Sequence, residues 1–185
     1  MNNKIHHMTG IALMSAVICL LGPIVIPIGI VPISFAGIGI YLSLFLLGRK
    51  RGAVAVLIYL FLGFMGLPVF SGFTAGPGRL LGPTGGYLMA YFFSVLICGK
   101  IMELNKVKIL SGIKQKIVYF GILLLGNIIL YTLGTLWLCL VSNLNWKTAV
   151  AVGVIPFLLP DAIKNLLVIS LGIKLRKRIP NVEMQ

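Results

Sequence analysis

Acidic side chains are nearly absent from this chain, whose 185 residues include 3 Asp and Glu against 16 Lys and Arg. Charged residues of all kinds make up 10% of it, whereas a soluble domain carries about 25%. Such a small supply of charge cannot cover the surface of a soluble fold. Together with 59% hydrophobic residues, it predicts a protein whose solvent is the lipid bilayer.

The rarity of reactive groups limits the chemistry that the chain can perform. No Ser/His, Cys/His or paired-carboxylate arrangement falls within the apolar stretches, and no Gly-Lys-Ser/Thr phosphate loop is present. His6 and His7 have no acidic or cysteine neighbour, so we expect neither a metal nor a cofactor. The cysteines are odd in number and lie in or beside apolar runs, which argues against a disulfide framework. These absences disfavour an enzyme.

Long apolar stretches alternate with short polar or Gly/Pro-rich segments along the whole chain. A helix that spans the hydrocarbon core needs about 20 residues. The pattern predicts an all-α fold, a single membrane domain over residues 1–185 built as a bundle of six transmembrane helices. The predicted spans are residues 8–26, 33–48, 53–67, 84–102, 117–141 and 148–173.

The basic residues are distributed very unevenly about these spans. One side holds Lys4, Arg49, Lys50, Arg51, Lys100, Lys106, Lys108, Lys114, Lys116, Lys174, Arg176, Lys177 and Arg178. The other side holds Arg79 and Lys147, while Lys164 lies inside the last span. Because cytoplasmic loops carry the excess of Lys and Arg, we predict that both termini are cytoplasmic. A net charge of +13 spread over helix ends favours lipid headgroups over nucleic acid as the partner.

The last predicted span contains an unusual polar group. Asp161, Lys164 and Asn165 are spaced so that they share one helical face. A charge at the bilayer centre costs about 2.5–3.5 kcal/mol, and Pro156 and Pro160 should interrupt the helix beside them. The hypothesis is that the three residues bind a polar ligand. A self-satisfied structural pair and an ion relay remain alternatives, although Glu103 and Glu183, both predicted cytoplasmic, supply no second carboxylate within the spans.

A Gly/Pro-rich loop over residues 68–83 precedes the fourth span on the predicted outer side. Arg79, Thr84 and Tyr87 belong either to a tight turn that caps this span or to a lid over a ligand. Asn127 lies one turn from Tyr131 on the fifth span. In the first span, Ala12 and Ala16 form a small-xxx-small pair that suits either packing inside the bundle or docking to another subunit.

Three motifs together resemble the BioY biotin transporter family. They are Gly-Leu-Pro-Val-Phe-Ser-Gly at 66–72, Gly-Pro-Thr-Gly-Gly-Tyr-Leu at 82–88, and Leu-Pro-Asp-x-x-Lys at 159–164. The resemblance runs from Ala12 to Lys164, with one departure where Phe73-Thr-Ala stands in place of a more glycine-rich loop. It implies the substrate-binding (S) component of an energy-coupling-factor (ECF) transporter in a prokaryotic plasma membrane. The implied partners are biotin, a transmembrane coupling subunit and two cytoplasmic ATPase subunits.

The resemblance also implies roles for particular residues. Asp161 and Lys164 match positions implicated in biotin binding, and Ala12 and Ala16 match the alanine motif that docks onto the coupling subunit. By their positions and side-chain chemistry, rather than by the resemblance, we expect five further residues to complete the ligand set: Asn165, Arg79, Thr84, Tyr87 and Asn127. Asp161 is expected to accept the ureido N–H groups, and either Lys164 or Arg79 to take the carboxylate. The alternatives are an S component for another vitamin and an intramembrane enzyme that uses Asp161 and Lys164.

Overall fold

The computed structural model describes residues 3–28, 30–104 and 111–178, and the chain there is almost entirely helical. Lys106, Lys108 and Glu183, all predicted to be cytoplasmic, lie outside these residues. The elements in chain order are α1 (Asn3–Leu21), β1 (Val25–Ile26), β2 (Ile33–Ser34), α2 (Ala36–Phe64), α3 (Pro77–Leu81), α4 (Gly85–Met102), α5 (Gly112–Ser142), α6 (Trp146–Gly153), a 3-10 turn (Ile155–Phe157) and α7 (Leu158–Arg178).

Helix α2 is a hairpin of two helical arms joined at Gly48. This glycine has φ 78° and ψ −177°, a backbone conformation that glycine adopts without the steric cost of a Cβ. A Cβ at Gly52 would lie 3.2 Å from the Cα of Leu44, eight residues earlier, so the second arm runs back along the first. The arms correspond to the second and third predicted spans, and the basic cluster at 49–51 follows the turn directly.

The last predicted span is interrupted, as its prolines indicated. Helix α6 ends at Gly153, Pro156 lies in the 3-10 turn, and α7 begins at Leu158. Proline has no backbone N–H to give to the preceding turn, so it breaks a helix interior and is tolerated at a helix start. Asn145 begins α6 by accepting a hydrogen bond from the backbone N of Thr148 at 2.8 Å.

Four helical stretches among the described residues are long and apolar enough to cross a bilayer. They are Lys4–Leu21, Gly85–Met102, Gly112–Ser142 and Trp146–Arg176. With the two arms of α2 they correspond to the six predicted spans. The all-helical membrane fold is confirmed, while the count of six spans and the cytoplasmic termini stay predictions.

Several predicted boundaries differ from the observed ones. Helix α1 begins at Asn3 rather than residue 8 and ends at Leu21. Residues 25–26 and 33–34, predicted as span ends, pair as a short antiparallel hairpin, because Pro23, Pro27 and Pro32 prevent helix there. The predicted loop 68–83 contains the short helix α3. Helix α5 begins at Gly112, five residues before the predicted span.

Small residues allow the helices of the core to approach closely. A Cβ at Gly126 of α5 would come within 2.8 Å of the Ser94 hydroxyl, the Cys98 sulfur and the Tyr41 hydroxyl. Such contacts replace the hydrophobic effect between helices in lipid. Helix α1 packs more loosely, since 17% of its apolar stretch Lys4–Leu21 is buried, and its exposed residues include Ala12 and Ala16.

Candidate functional site

The centre of the candidate site is an ion pair between Asp161, in the first turn of α7, and Lys164, one turn later. Lys164 Nζ donates to Asp161 Oδ1 at 2.8 Å, and the two side chains are 12% and 10% exposed. The carboxylate is favoured at this point of the helix because the backbone N–H groups of the first turn carry partial positive charge. The predicted common face of Asp161 and Lys164 is therefore observed.

Two other elements hold this pair in place. The Tyr131 hydroxyl of α5 donates to Asp161 Oδ2 at 2.7 Å. Lys164 Nζ also donates to the backbone oxygen of Ser34 at the end of β2, at 2.8 Å. The pair is therefore bonded to its surroundings as well as to itself, and the hairpin β1–β2 is attached to α7 through the lysine.

A cavity of about 530 Å³, a volume that includes the space at its open mouth, lies beside the pair. Asp161, Lys164 and Tyr131 form part of its wall. The remaining polar lining is Ser34, Ser71, Thr84, Tyr87 and Tyr91. The other lining residues are Val31, Pro32, Ala36, Leu88, Leu130, Gly153 and Phe157. An apolar cavity with a few convergent polar groups is the usual form of a small-molecule site.

Thr84 and Tyr87 lie on the wall at the start of α4, and they differ in their hydrogen bonding. The Tyr87 hydroxyl lies 3.1 Å from the Thr135 hydroxyl and donates to the Gly153 backbone oxygen at 3.1 Å. Its ring is accommodated because Gly134 has no Cβ, which would lie 2.2 Å from the ring. The buried Thr84 hydroxyl has no hydrogen-bond partner among the described residues.

A second, smaller cavity of about 180 Å³ adjoins the first. It shares Tyr91, Asp161 and Lys164 with the main cavity, and Asn127 and Asn165 line only the smaller one. The Asn127 side-chain oxygen accepts from the Tyr41 hydroxyl at 3.2 Å. The two predicted asparagines are thus near the ion pair, in a compartment distinct from the main one.

Arg79 lies apart from the other predicted site residues. It belongs to α3 and appears in the lining of neither cavity. Its buried Nε has no hydrogen-bond partner among the described residues. The loop around it is fixed by Trp137, whose indole N–H donates to the Gly82 backbone oxygen at 3.0 Å.

Four polar residues around the pair were not among the predicted site residues: Ser34, Tyr41, Tyr91 and Tyr131. Tyr131 shares a helical face with Asn127, and Tyr91 lies one turn after Tyr87, so helical spacing carried a signal for both. Tyr41, on the first arm of α2, and Ser34, which contributes a backbone oxygen, gave no such signal. Only the packing of α2 and the hairpin against α7 brings them near the pair.

Comparison with known proteins identifies the family. The family model described as "BioY family" matches residues 1–181. The chain belongs to the BioY family. The resemblance carried by the three sequence motifs is therefore confirmed over nearly the whole chain.

Two BioY relatives match this chain along most of their length. Biotin transporter BioY2 of Lactococcus lactis subsp. cremoris is 38% identical over 175 residues, 94% of this chain and 92% of the relative. Biotin transporter BioY of Thermotoga maritima is 34% identical over 155 residues, 82% of this chain and 85% of the relative. A solved structure described as the S-component for biotin from an ECF-type ABC transporter superposes with a TM-score of 0.84 at 33% identity. It covers 96% of this chain and 95% of the other.

Proposed function

We propose that this BioY protein is the biotin-binding S component of an ECF-type transporter in a prokaryotic plasma membrane. It captures the vitamin from outside and passes it on with a transmembrane coupling subunit and two cytoplasmic ATPase subunits. The chain is a transport subunit rather than an enzyme, and its partners hydrolyse the ATP. The proposal includes one membrane domain of six spans with both termini cytoplasmic.

One observation supports biotin as the ligand most directly: a carboxylate and an ammonium group lie together on the wall of a largely apolar cavity. Biotin has a ureido ring with two N–H donors and a carbonyl acceptor, an apolar bicycle and a carboxylate. A charged acceptor forms a stronger hydrogen bond than a neutral one, more so away from water. Asp161 accepts a ureido N–H in this proposal, and the apolar wall contacts the bicycle.

Lys164 and Asp161 contact the same end of the ligand in this proposal. Lys164 Nζ lies 2.8 Å from Asp161 Oδ1, whereas the ureido ring and the carboxylate stand at opposite ends of biotin. We therefore assign Lys164 to the ureido carbonyl, which leaves the carboxylate for the other predicted cation, Arg79. Thr84 and Tyr87 belong to the intervening wall, with the Thr84 hydroxyl available for a hydrogen bond.

The function is tested by isothermal titration of biotin into the purified chain in detergent. A panel of other vitamins is screened in parallel by thermal shift, because a tight ligand raises the unfolding temperature by mass action. Saturable 1:1 binding of biotin supports the proposal. Absence of biotin binding would contradict the proposal. A larger thermal shift with another vitamin would identify that vitamin as the substrate instead.

The carboxylate assignment has its own test. The ligand pair is biotin and biotinamide, which differ in charge at the end of the tail. Arg79→Gln should weaken biotin binding while leaving biotinamide binding nearly unchanged. Lys147→Gln, which removes the other cation predicted on the outer side, serves as the matched control. If Lys164→Met rather than Arg79→Gln abolishes the preference for biotin over biotinamide, Lys164 takes the carboxylate.

A further inference from the structure

The smaller cavity brings several polar side chains together beside the ion pair. Its walls include the side chains of Tyr41, Asn127, Asn165, Asp161 and Lys164. Two of these walls are bonded to each other, because the Tyr41 hydroxyl donates to the Asn127 side-chain oxygen. The Tyr41 hydroxyl also lies 2.9 Å from the hydroxyl of Ser94, which lies outside the cavity. The space left between these groups is enough for about one water molecule.

Asn165 supplies the observation that points to an occupant. Its side chain is 1% exposed, and its Nδ2 has no hydrogen-bond acceptor among residues 3–28, 30–104 and 111–178. Nearly all buried polar groups in proteins are hydrogen-bonded to protein or to ordered water. An apolar cavity stays dry, whereas a cavity with two to four polar partners for a water holds one.

We propose that the smaller cavity holds at least one ordered water molecule bound by the Asn165 amide, and that Asn165 is thereby a positioning residue for the Asp161–Lys164 pair. The water accepts from Asn165 Nδ2 and bonds to the pair from the side away from the vitamin. This inference rests on the proposed function, since the pair it positions is the proposed biotin contact. It gives Asn165 an indirect role in place of direct contact with biotin.

The hydration has a consequence for the pair. Asp161 Oδ1 and Oδ2 already accept from Lys164 and Tyr131, and a carboxylate has about four lone-pair sites. A water in the smaller cavity fills one further site without entering the main cavity. The carboxylate is then held from three directions, with a remaining lone pair for the ligand.

The test compares the wild type with Asn165→Leu and Asn165→Ser, each with biotin bound. Leucine has the same number and branching of side-chain heavy atoms as asparagine and removes the amide, whereas serine keeps a hydrogen-bonding group. We expect crystal structures at about 2 Å or better to show water within hydrogen-bonding distance of Asn165 in the wild type and none there in Asn165→Leu. We expect the Kd for biotin to rise about tenfold in Asn165→Leu with no fall in unfolding temperature, and to recover at least in part in Asn165→Ser.

The outcomes separate this inference from the proposed function. Wild-type density with no water at Asn165, or with biotin itself bonded to Asn165, would overturn the hydrated cavity and leave biotin binding intact. An unchanged Kd in Asn165→Leu would overturn the positioning role. Water at Asn165 in a protein that does not bind biotin would instead overturn the proposed function. If Asn165→Leu does not fold, the wild-type density decides the hydration, and Asn165→Ala, which also removes the amide, replaces the leucine variant in the Kd comparison.

Discussion

Replacing Asp161 with asparagine separates the contribution of its charge from that of its shape. Asparagine is nearly the same size as aspartate and still offers an oxygen to the Tyr131 hydroxyl, which lies 2.7 Å from the native carboxylate. The change removes the counter-charge of Lys164, whose Nζ then keeps the Ser34 backbone oxygen as a partner at 2.8 Å. The substitution therefore tests whether a buried ammonium group is tolerated without its carboxylate.

The structure gives the expected magnitudes. Removing one partner of a buried ion pair costs about 3–5 kcal/mol. The two side chains are about one-tenth exposed, so we expect a loss near the lower end, about 3 kcal/mol. A hydrogen bond from the ligand to a charged group contributes about 1.5–3 kcal/mol. Its loss weakens biotin binding about 10- to 150-fold.

The double variant Asp161→Asn with Lys164→Met provides the matched control. Methionine resembles lysine in length and carries no charge, so no unpaired ion remains, and replacing both partners of a buried pair is often neutral for stability. We expect the double variant to recover most of the unfolding temperature lost by Asp161→Asn and none of the biotin affinity. Thermal unfolding and isothermal titration measure the two quantities. A double variant as unstable as Asp161→Asn, or an Asp161→Asn protein with wild-type affinity, would refute the reasoning.

Three further predictions follow from other contacts. Tyr131→Phe removes the O–H that donates to Asp161 Oδ2. Titration should then show a biotin affinity about tenfold lower, a loss of about 1.4 kcal/mol. Unchanged affinity would contradict a role for Tyr131 in positioning Asp161. Phe73, 71% exposed, has φ 57°, which is costly for a side chain other than glycine. Phe73→Gly should therefore raise the unfolding free energy by up to about 1 kcal/mol in thermal unfolding, and Phe73→Ala, which keeps the Cβ, should not. Ala16→Trp on the exposed face of α1 should abolish biotin uptake by cells that express the coupling module while leaving titrated affinity intact; normal uptake would argue against docking there.

The membrane fold was predictable because the thickness of the bilayer sets the length of the apolar stretches directly. Four apolar stretches were found as helices long enough to cross the membrane, and the two arms of α2 match the other two predicted spans. The prolines at 156 and 160 predicted the interruption before Asp161, since proline cannot continue the hydrogen-bonding of a helix. The hairpin β1–β2 and the helix α3 were not predicted, because two-residue strands and one-turn helices have no periodicity to detect.

The sequence by itself determined that an acid and an amine lie on one face of a membrane helix, because helical spacing is a local property. Only the tertiary structure decided what surrounds them. The Tyr131 hydroxyl and the Ser34 backbone oxygen reach the pair from positions 30 and 130 residues away. Whether Asn165 faces the main cavity or the smaller one likewise depended on how α2 and α5 pack against α7. Contacts between distant segments depend on the fit of whole helices, which no local pattern of residues records.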